Sequence, residues 1–282
     1  MKIIHTIQDV RENVRAWRTE GRTVGFVPTM GSLHEGHRSL IQKAAAENDR
    51  VVVSIFINPL QFGEKSDLEN YPRDLQHDSD VCALAGADLI FHPDKEEMYQ
   101  GDFCSFVDVN GLTDTLCGKS RPNHFRGVCT VVTKLFNIVK PDRAYFGQKD
   151  AQQLAVVKRM VRDLNMDIEI IACETVREPD GLAKSSRNVH LDKEQRKASS
   201  ILREALQKAE RKIAAGIRNP MEIKESIEKQ IDQEASVRLD YAEIVDLDTL
   251  KPIKTIEAPV LVAAAIYVGT TRLIDNFVIS CI

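Results

Sequence analysis

The chain has 282 residues, a formal net charge of −4, 43% hydrophobic and 28% charged residues, the profile of a globular protein of one large or two ordinary domains. The mild acidity leaves no basic footprint for nucleic acid. No apolar run is long enough to cross a bilayer; the longest, 258–268, is strand-like and holds a proline.

Taken in chain order, apolar runs and amphipathic stretches alternate as far as about residue 175. The run at 24–27 predicts a strand and 39–48 a helix. The continuous β-branched stretch 51–57 fits a central parallel strand covered on both faces. A helix at 74–85, a strand at 88–91 and a short strand at 106–109 follow. The segment 128–139 is apolar almost all round and reads as a buried helix ended by Pro141. Strand 143–146, helix 152–164 and strand 168–173 complete the series. This rhythm predicts a doubly wound, Rossmann-like α/β parallel sheet over residues 1–175.

Beyond that point the pattern changes. A long helix at 192–215 and a second at 220–233, opened by Pro220, precede strands at 238–245, 260–267 and 272–279. Helices followed by strands predict a smaller C-terminal α+β domain, residues 176–282, with an antiparallel sheet. The stretch 174–188, with Pro179-Asp180-Gly181, is the expected hinge or loop between the two. Met1-Lys2-Ile3-Ile4-His5 lacks the apolar core of a secretion signal, so a cytoplasmic protein is expected. Cys82, Cys104, Cys117, Cys129, Cys173 and Cys281 are scattered without a CxxC pair, which favours buried thiols over disulfides or a zinc site.

Five segments carry chemistry. Pro28-Thr29-Met30-Gly31-Ser32-Leu33-His34-Glu35-Gly36-His37 is a strand end, a glycine turn and a helix start, where backbone amides and the helix dipole favour an anion. His34 and His37 are three apart, not the four of a zinc-protease helix; they are phosphate ligands or ordinary capping residues. Asn58 and Gln61 follow the strand 51–57 and suit a substrate with hydroxyl and carboxylate groups, or a solvated turn around Pro59. In the basic loop 121–127, Arg121 or Arg126 can meet an anion. Phe146-Gly147-Gln148-Lys149-Asp150 is a second glycine turn before a helix. Asp150 there can act as an N-cap, whereas the Lys149 cation opposes the helix dipole unless an anion is bound. Lys184-Ser185-Ser186-Arg187 sets two hydroxyls between two cations, a polyphosphate clamp or an inter-domain linker.

These segments occur together and in order with Phe56–Phe62, Tyr71-Pro72-Arg73, 121–128, 141–154 and 181–188. That combination resembles the pantothenate synthetase (pantoate–β-alanine ligase) family of the nucleotidyltransferase superfamily, across essentially the whole chain. Two positions depart from the family pattern, which commonly has methionine at those of Lys184 and Leu60. The resemblance implies that ATP and pantoate give pantoyl adenylate and pyrophosphate, and that β-alanine then displaces AMP to give pantothenate. It implies catalytic roles for His34, His37, Lys149, Ser185 and Arg187. ATP would meet Met30, His34, His37, Gly147, Lys149, Asp150, Val176, Lys184, Ser185, Ser186 and Arg187, and pantoate Met30, Asn58, Gln61, Phe62 and Gln153.

By the same resemblance Arg121 belongs to the mouth of the site, and the protein is a homodimer. Mg²⁺ would enter mainly through the phosphates, with Asp78 or Asp150 near it through water. His34 or solvent would take the proton from the β-alanine amine, and the C-terminal domain would close over the site. Two other classes use similar parts: a nucleotidyltransferase acting on a phosphorylated acceptor, and a catalytically silent nucleotide-binding module. The neutral amides of Asn58, Gln61 and Gln153 argue against the first, and the intact Lys149 plus Lys184-Ser185-Ser186-Arg187 set against the second.

Overall fold

A computed structural model describes residues 1–63 and 68–280. Strands β1 (Lys2–Ile4), β2 (Val24–Thr29), β3 (Arg50–Ile55), β4 (Leu89–Phe91), β5 (Arg143–Gly147) and β6 (Glu169–Cys173) form one sheet in the order β1-β4-β3-β2-β5-β6. Every pairing in it is parallel. Helices α1 (Ile7–Thr19), α2 (Glu35–Glu47), α3 (Leu75–Ala85), α4 (His124–Val139) and α5 (Ala151–Asp163) cover it. Alternate residues of each strand go to opposite faces. Phe26, Val52, Leu89 and Phe146 pack with α1, α4 and α5, whereas Val27, Val51, Val53 and Ile90 pack with α2 and α3. Both faces are therefore apolar, which is why the central strands read as unbroken hydrophobic runs.

The chain order sets the place of the site. After β2 it steps outward through β3 and β4, then returns to lay β5 on the other side of β2. The β2–β5 boundary is thus the point where the winding reverses, and the loops leaving the carboxyl ends of these strands diverge around a crevice. Those loops are the two glycine turns singled out above.

The C-terminal sheet pairs β7 (Val237–Asp246), β8 (Val260–Val268) and β9 (Thr271–Ile279) antiparallel in that order. Helices α6 (Ser200–Ala214) and α7 (Pro220–Ile231) pack on one of its faces, against Val260, Val262, Ala264 and Ile266. Leu261 and Ala263 on the opposite face join the core around α4 and α5. Strand β8 is therefore buried on both sides, unlike most antiparallel strands.

Several expectations change. The strand at 106–109 is absent: the Val107 amide bonds to Thr130 Oγ1 at 3.0 Å, and the segment runs as irregular chain. The helix at 192–215 is interrupted between 193–198 and α6, where the Ser199 hydroxyl bonds back to the Arg196 carbonyl at 2.7 Å. Strand β1 and helix α1 were not anticipated, although Thr6 caps α1 and Val10 and Val14 are its buried residues. Cys82, Cys129 and Cys173 are buried thiols, but Cys104 is exposed and Cys117 half-buried; Cys281 lies outside the described residues. The stretch 174–188 is a pinned reverse turn. Arg177 and Ala183 bridge, Glu178 N bonds Leu182 O at 2.8 Å, and Arg196 clamps Asp180 at 2.9 and 3.0 Å.

Candidate active site

The turn after β2 is held from below. Gly31 and Ser32 both have positive φ, 83° and 52°, which aims the Ser32 and Leu33 amides at the Asp78 carboxylate, 2.9 and 2.7 Å away. A Cβ on Gly31 would stand 2.8 Å from Asp78 Oδ2, so glycine is required there both by conformation and by contact. Asp78 is almost fully buried, with both oxygens occupied by these amides, and it stands outside the cavity above. The expectation that it approaches a metal therefore gives way to an anchoring role.

His34 is the N-cap of α2, and the pair forms a capping box. His34 Nδ1 accepts from Gly36 N at 3.1 Å, and His37 Nδ1 accepts from His34 N at 3.3 Å. Because a backbone N–H can only donate, both imidazoles are fixed as the tautomer with the proton on Nε2. Burial lowers the His34 pKa to about 4, helped by the nearby Lys149 charge. Burial likewise lowers that of His37 to about 3, with His34 and Lys149 adding to it. The capping and phosphate roles are thus compatible: one edge of each ring holds the helix start while the other keeps an N–H donor. With its lone pair spent, His34 is a poor proton acceptor for an amine.

Lys149 rides on the turn Gln148–Asp150 between β5 and α5. Its ammonium lies 3.8 Å from the Asp150 carboxylate. Asp150 occupies the N-cap position of α5 but makes no capping hydrogen bond, so its expected capping role is not realised. Ser185 Oγ accepts from Arg187 N at 3.3 Å and caps the turn Ser186–His190. Lys184 is spoken for: its ammonium bridges Glu35 at 2.8 Å and Glu178 at 3.0 Å. That bridge accounts for a lysine at the position where a methionine is usual.

Asn58 is buried with every polar function engaged. Its amide donates to Gln61 Oε1 and Gly127 O, both at 3.0 Å, and its oxygen accepts from Tyr99 Oη at 2.8 Å and Leu60 N at 3.3 Å. It therefore orients Gln61 and has no donor left for a ligand. Gln61 keeps its Nε2 toward Met30 Sδ at 2.9 Å. His124 Nδ1 donates to Gln61 O at 2.8 Å. Its Nε2 is then the unprotonated nitrogen, 3.4 Å from the Arg121 guanidinium. Burial, reinforced by Arg121, lowers the His124 pKa to about 4.

One cavity of about 250 Å³ collects these parts. Met30, His34, His37, Gly147, Lys149, Asp150, Val176, Lys184, Ser185, Ser186 and Arg187 all line it, as do Asn58, Gln61, Phe62, Gln153 and Arg121. Arg126 instead lies over the Phe106 ring, 4.1 Å from its centroid. His124 and Tyr71 also line the cavity and were not singled out from the sequence, although both fall inside the motifs quoted there. Among the described residues, no group of three or more His, Cys, Asp or Glu side chains could hold a metal ion.

The three imidazoles make stability depend on pH. Their folded values of about 4, 3 and 4 lie below the ordinary 6.5, so below 6.5 the unfolded chain binds protons that the folded site refuses. Stability contributed by these neutral rings is complete above 6.5 and declines as pH falls from there toward about 4. Thermal midpoints measured between about pH 7.5 and 5 should fall, and His37→Gln should flatten the slope. A midpoint that does not move would show that the rings charge freely in the folded protein.

A parallel α/β sheet with two helix starts, two N–H-presenting imidazoles and a lysine converging at its winding reversal defines an enzyme site for a phosphorylated nucleotide. The Pantoate-beta-alanine ligase family model matches residues 2–278. A pantothenate synthetase of Clostridium acetobutylicum is 55% identical over 98% of this chain and 99% of its own. The crystal structure of pantothenate synthetase from Thermus thermophilus superimposes with a TM-score of 0.93 at 44% identity, over 98% of this chain and 99% of that one. The Francisella tularensis pantoate-beta-alanine ligase, described as complexed with beta-gamma ATP and beta-alanine, gives 0.80 at 34% identity over 99% and 97%. The chain belongs to the pantoate–β-alanine ligase family.

Proposed function

We propose that this chain joins pantoate to β-alanine in two steps within the one cavity, using ATP. In the first, a pantoate carboxylate oxygen attacks the α-phosphorus and the bond to pyrophosphate breaks. In the second, the β-alanine nitrogen attacks the acyl carbon, AMP leaves, and the nitrogen loses a proton. The first step needs no base, because the carboxylate is already ionised; it needs two anions held together and the growing pyrophosphate charge stabilised. Lys149, the Nε2–H groups of His34 and His37, and the Ser185-Ser186-Arg187 turn, all in the cavity lining, supply that. Gln61, Gln153, Met30 and Phe62 face pantoate, with neutral amides suited to its hydroxyls. Asn58 serves by fixing Gln61. Gly147, Asp150 and Val176 flank the nucleoside.

Mg²⁺ fits as an ion that arrives on the phosphates, since the lining offers single carboxylates and no acidic cluster. Its chemistry there is to offset phosphate charge. Residues 1–175 hold nucleotide and pantoate, and residues 176–282 cover them. A homodimer in the cytoplasm completes the proposal. Among the described residues, no helix is long and apolar enough to cross a membrane.

The observation that carries this reading is that cationic groups, N–H donors and neutral amides line one and the same cavity. ATP–pyrophosphate exchange tests it: exchange should require pantoate and no β-alanine. Exchange without pantoate, or none with it, would overturn the assignment.

A further inference from the structure

At the centre of strand β9, between the apolar pairs Leu273-Ile274 and Phe277-Val278, Asp275 and Asn276 are both buried, at 2% and 5% exposure. A polar side chain is costly in such a place unless its partners are specific, and here they are. Asn276 Nδ2 donates to Gln148 O at 3.0 Å and Lys149 O at 2.9 Å, while its Oδ1 accepts from Gln148 Nε2 at 3.4 Å. Asp275 takes a bidentate pair from Arg177, at 2.7 and 3.0 Å. Arg177 in turn donates to Gly181 O at 3.0 Å. Asp275 Oδ1 also accepts from Asn276 N at 2.8 Å, so the two anchors are joined.

The turn held by Asn276 has little local support. Gly147 before it has no side chain to cap with, and Asp150 at its end makes no capping bond. Two successive carbonyls of the Lys149 turn are instead gripped by one amide from the other sheet, far away in sequence. The neighbouring carboxylate grips the start of the segment that ends in Ser185-Ser186-Arg187.

We propose that Asp275 and Asn276 set the spacing between the Lys149 turn and the 177–187 loop, and that Asn276 is a positioning residue for adenylate formation acting through Lys149. This rests on the function proposed above. It also places a fixed tie between the C-terminal sheet and the nucleotide turn, so that any closing motion must leave β9 in place against Lys149.

The test is Asn276→Ala and Asn276→Asp in the full-length enzyme. Asn276→Ala should lower the turnover of pantoate-dependent exchange by about 10- to 100-fold and leave the pantoate and ATP KM values within about threefold. Attack of β-alanine on supplied pantoyl adenylate should run at the parental rate, because pyrophosphate has already left. In a Lys149→Ala background, Asn276→Ala should change exchange by less than about threefold. A folded Asn276→Ala enzyme with parental exchange, equal losses in both half-reactions, or a loss that adds fully to that of Lys149→Ala would overturn the proposal. If Asn276→Ala does not fold, Asn276→Asp decides: its carboxyl can donate only when protonated, so its rate relative to the parent should rise as pH falls, and a flat ratio overturns the proposal. Parental exchange in Lys149→Ala alone would instead remove the role of Lys149 on which the proposal stands.

Discussion

Replacing Lys149 with alanine should slow pantoate-dependent exchange by about 10²- to 10³-fold, the usual cost of deleting a charge aimed at developing negative charge. Three observations single out this lysine. It sits at the start of α5, where a cation opposes the helix dipole, and its contact with the Asp150 carboxylate is long, at 3.8 Å. It lowers the pKa of both His34 and His37 and therefore stands close to the two imidazole donors. Lys184, by contrast, is already neutralised by Glu35 and Glu178. On the proposed function, pyrophosphate accumulates charge as the α-phosphorus bond breaks, and an ammonium held beside it would meet that charge without reorganising. The loss should fall mainly on turnover, with a smaller rise in the ATP KM, because the interaction strengthens on the way to the transition state. Parental turnover in the variant would remove Lys149 from the chemistry.

The neutral state of the histidines shapes the electrostatics of the site. A site filled with imidazolium cations would attract ATP strongly but would also bind pyrophosphate strongly after the reaction. On the proposed function, uncharged Nε2–H donors would hold phosphate oxygens by direction, while Lys149 and Arg187, which line the same cavity, would supply charge. Burying both rings in neutral form is inexpensive only because each lone pair receives a backbone N–H. On the proposed function the capping box would thus serve helix and ligand with the same two residues.

Features carried by local chemistry were legible in the sequence. Glycine turns after apolar runs, a lysine where a helix dipole forbids one, and two hydroxyls between cations each stand out within a few residues, and all of them line one cavity. What was illegible depends on contacts distant in sequence. Asp78 resembles a metal ligand until its oxygens are found under the Ser32 and Leu33 amides. Asn58 resembles a substrate ligand until Tyr99 and Gly127 are seen to consume it. The Phe106-Val107-Asp108-Val109 alternation has the period of a strand, but the Val107 amide is taken by a Thr130 side chain and no neighbouring strand receives it. Helix α1 is legible from its own spacing, with Val10 and Val14 one helical turn apart behind a Thr6 cap, but it precedes the first long apolar run and escapes a reading that starts there.

Gly127→Ala should damage pantoate binding and stability together, although Gly127 touches no substrate. It lies in the first turn of α4, and its carbonyl accepts from the Asn58 amide at 3.0 Å. A Cβ there would stand 2.3 Å from Leu60 O, 2.4 Å from Leu60 C and 2.6 Å from Gln61 N. These are backbone atoms of the Pro59–Gln61 turn, so no side-chain rotation relieves the overlap. The turn must move away from α4, and with it go the Asn58–Gly127 bond, the His124–Gln61 bond and the direction of the Gln61 amide. Overpacking of this kind costs about 1–3 kcal/mol. A displacement near 1 Å in a substrate-positioning group costs up to about 10²-fold. The pantoate KM in exchange should therefore rise by about 10- to 100-fold while the ATP KM changes little, and the thermal midpoint should drop. The parental midpoint together with the parental pantoate KM would mean that the turn yields freely and that Gln61 is not set by its packing on α4. A raised ATP KM with pantoate unaffected would move Gln61 to the nucleotide side of the cavity.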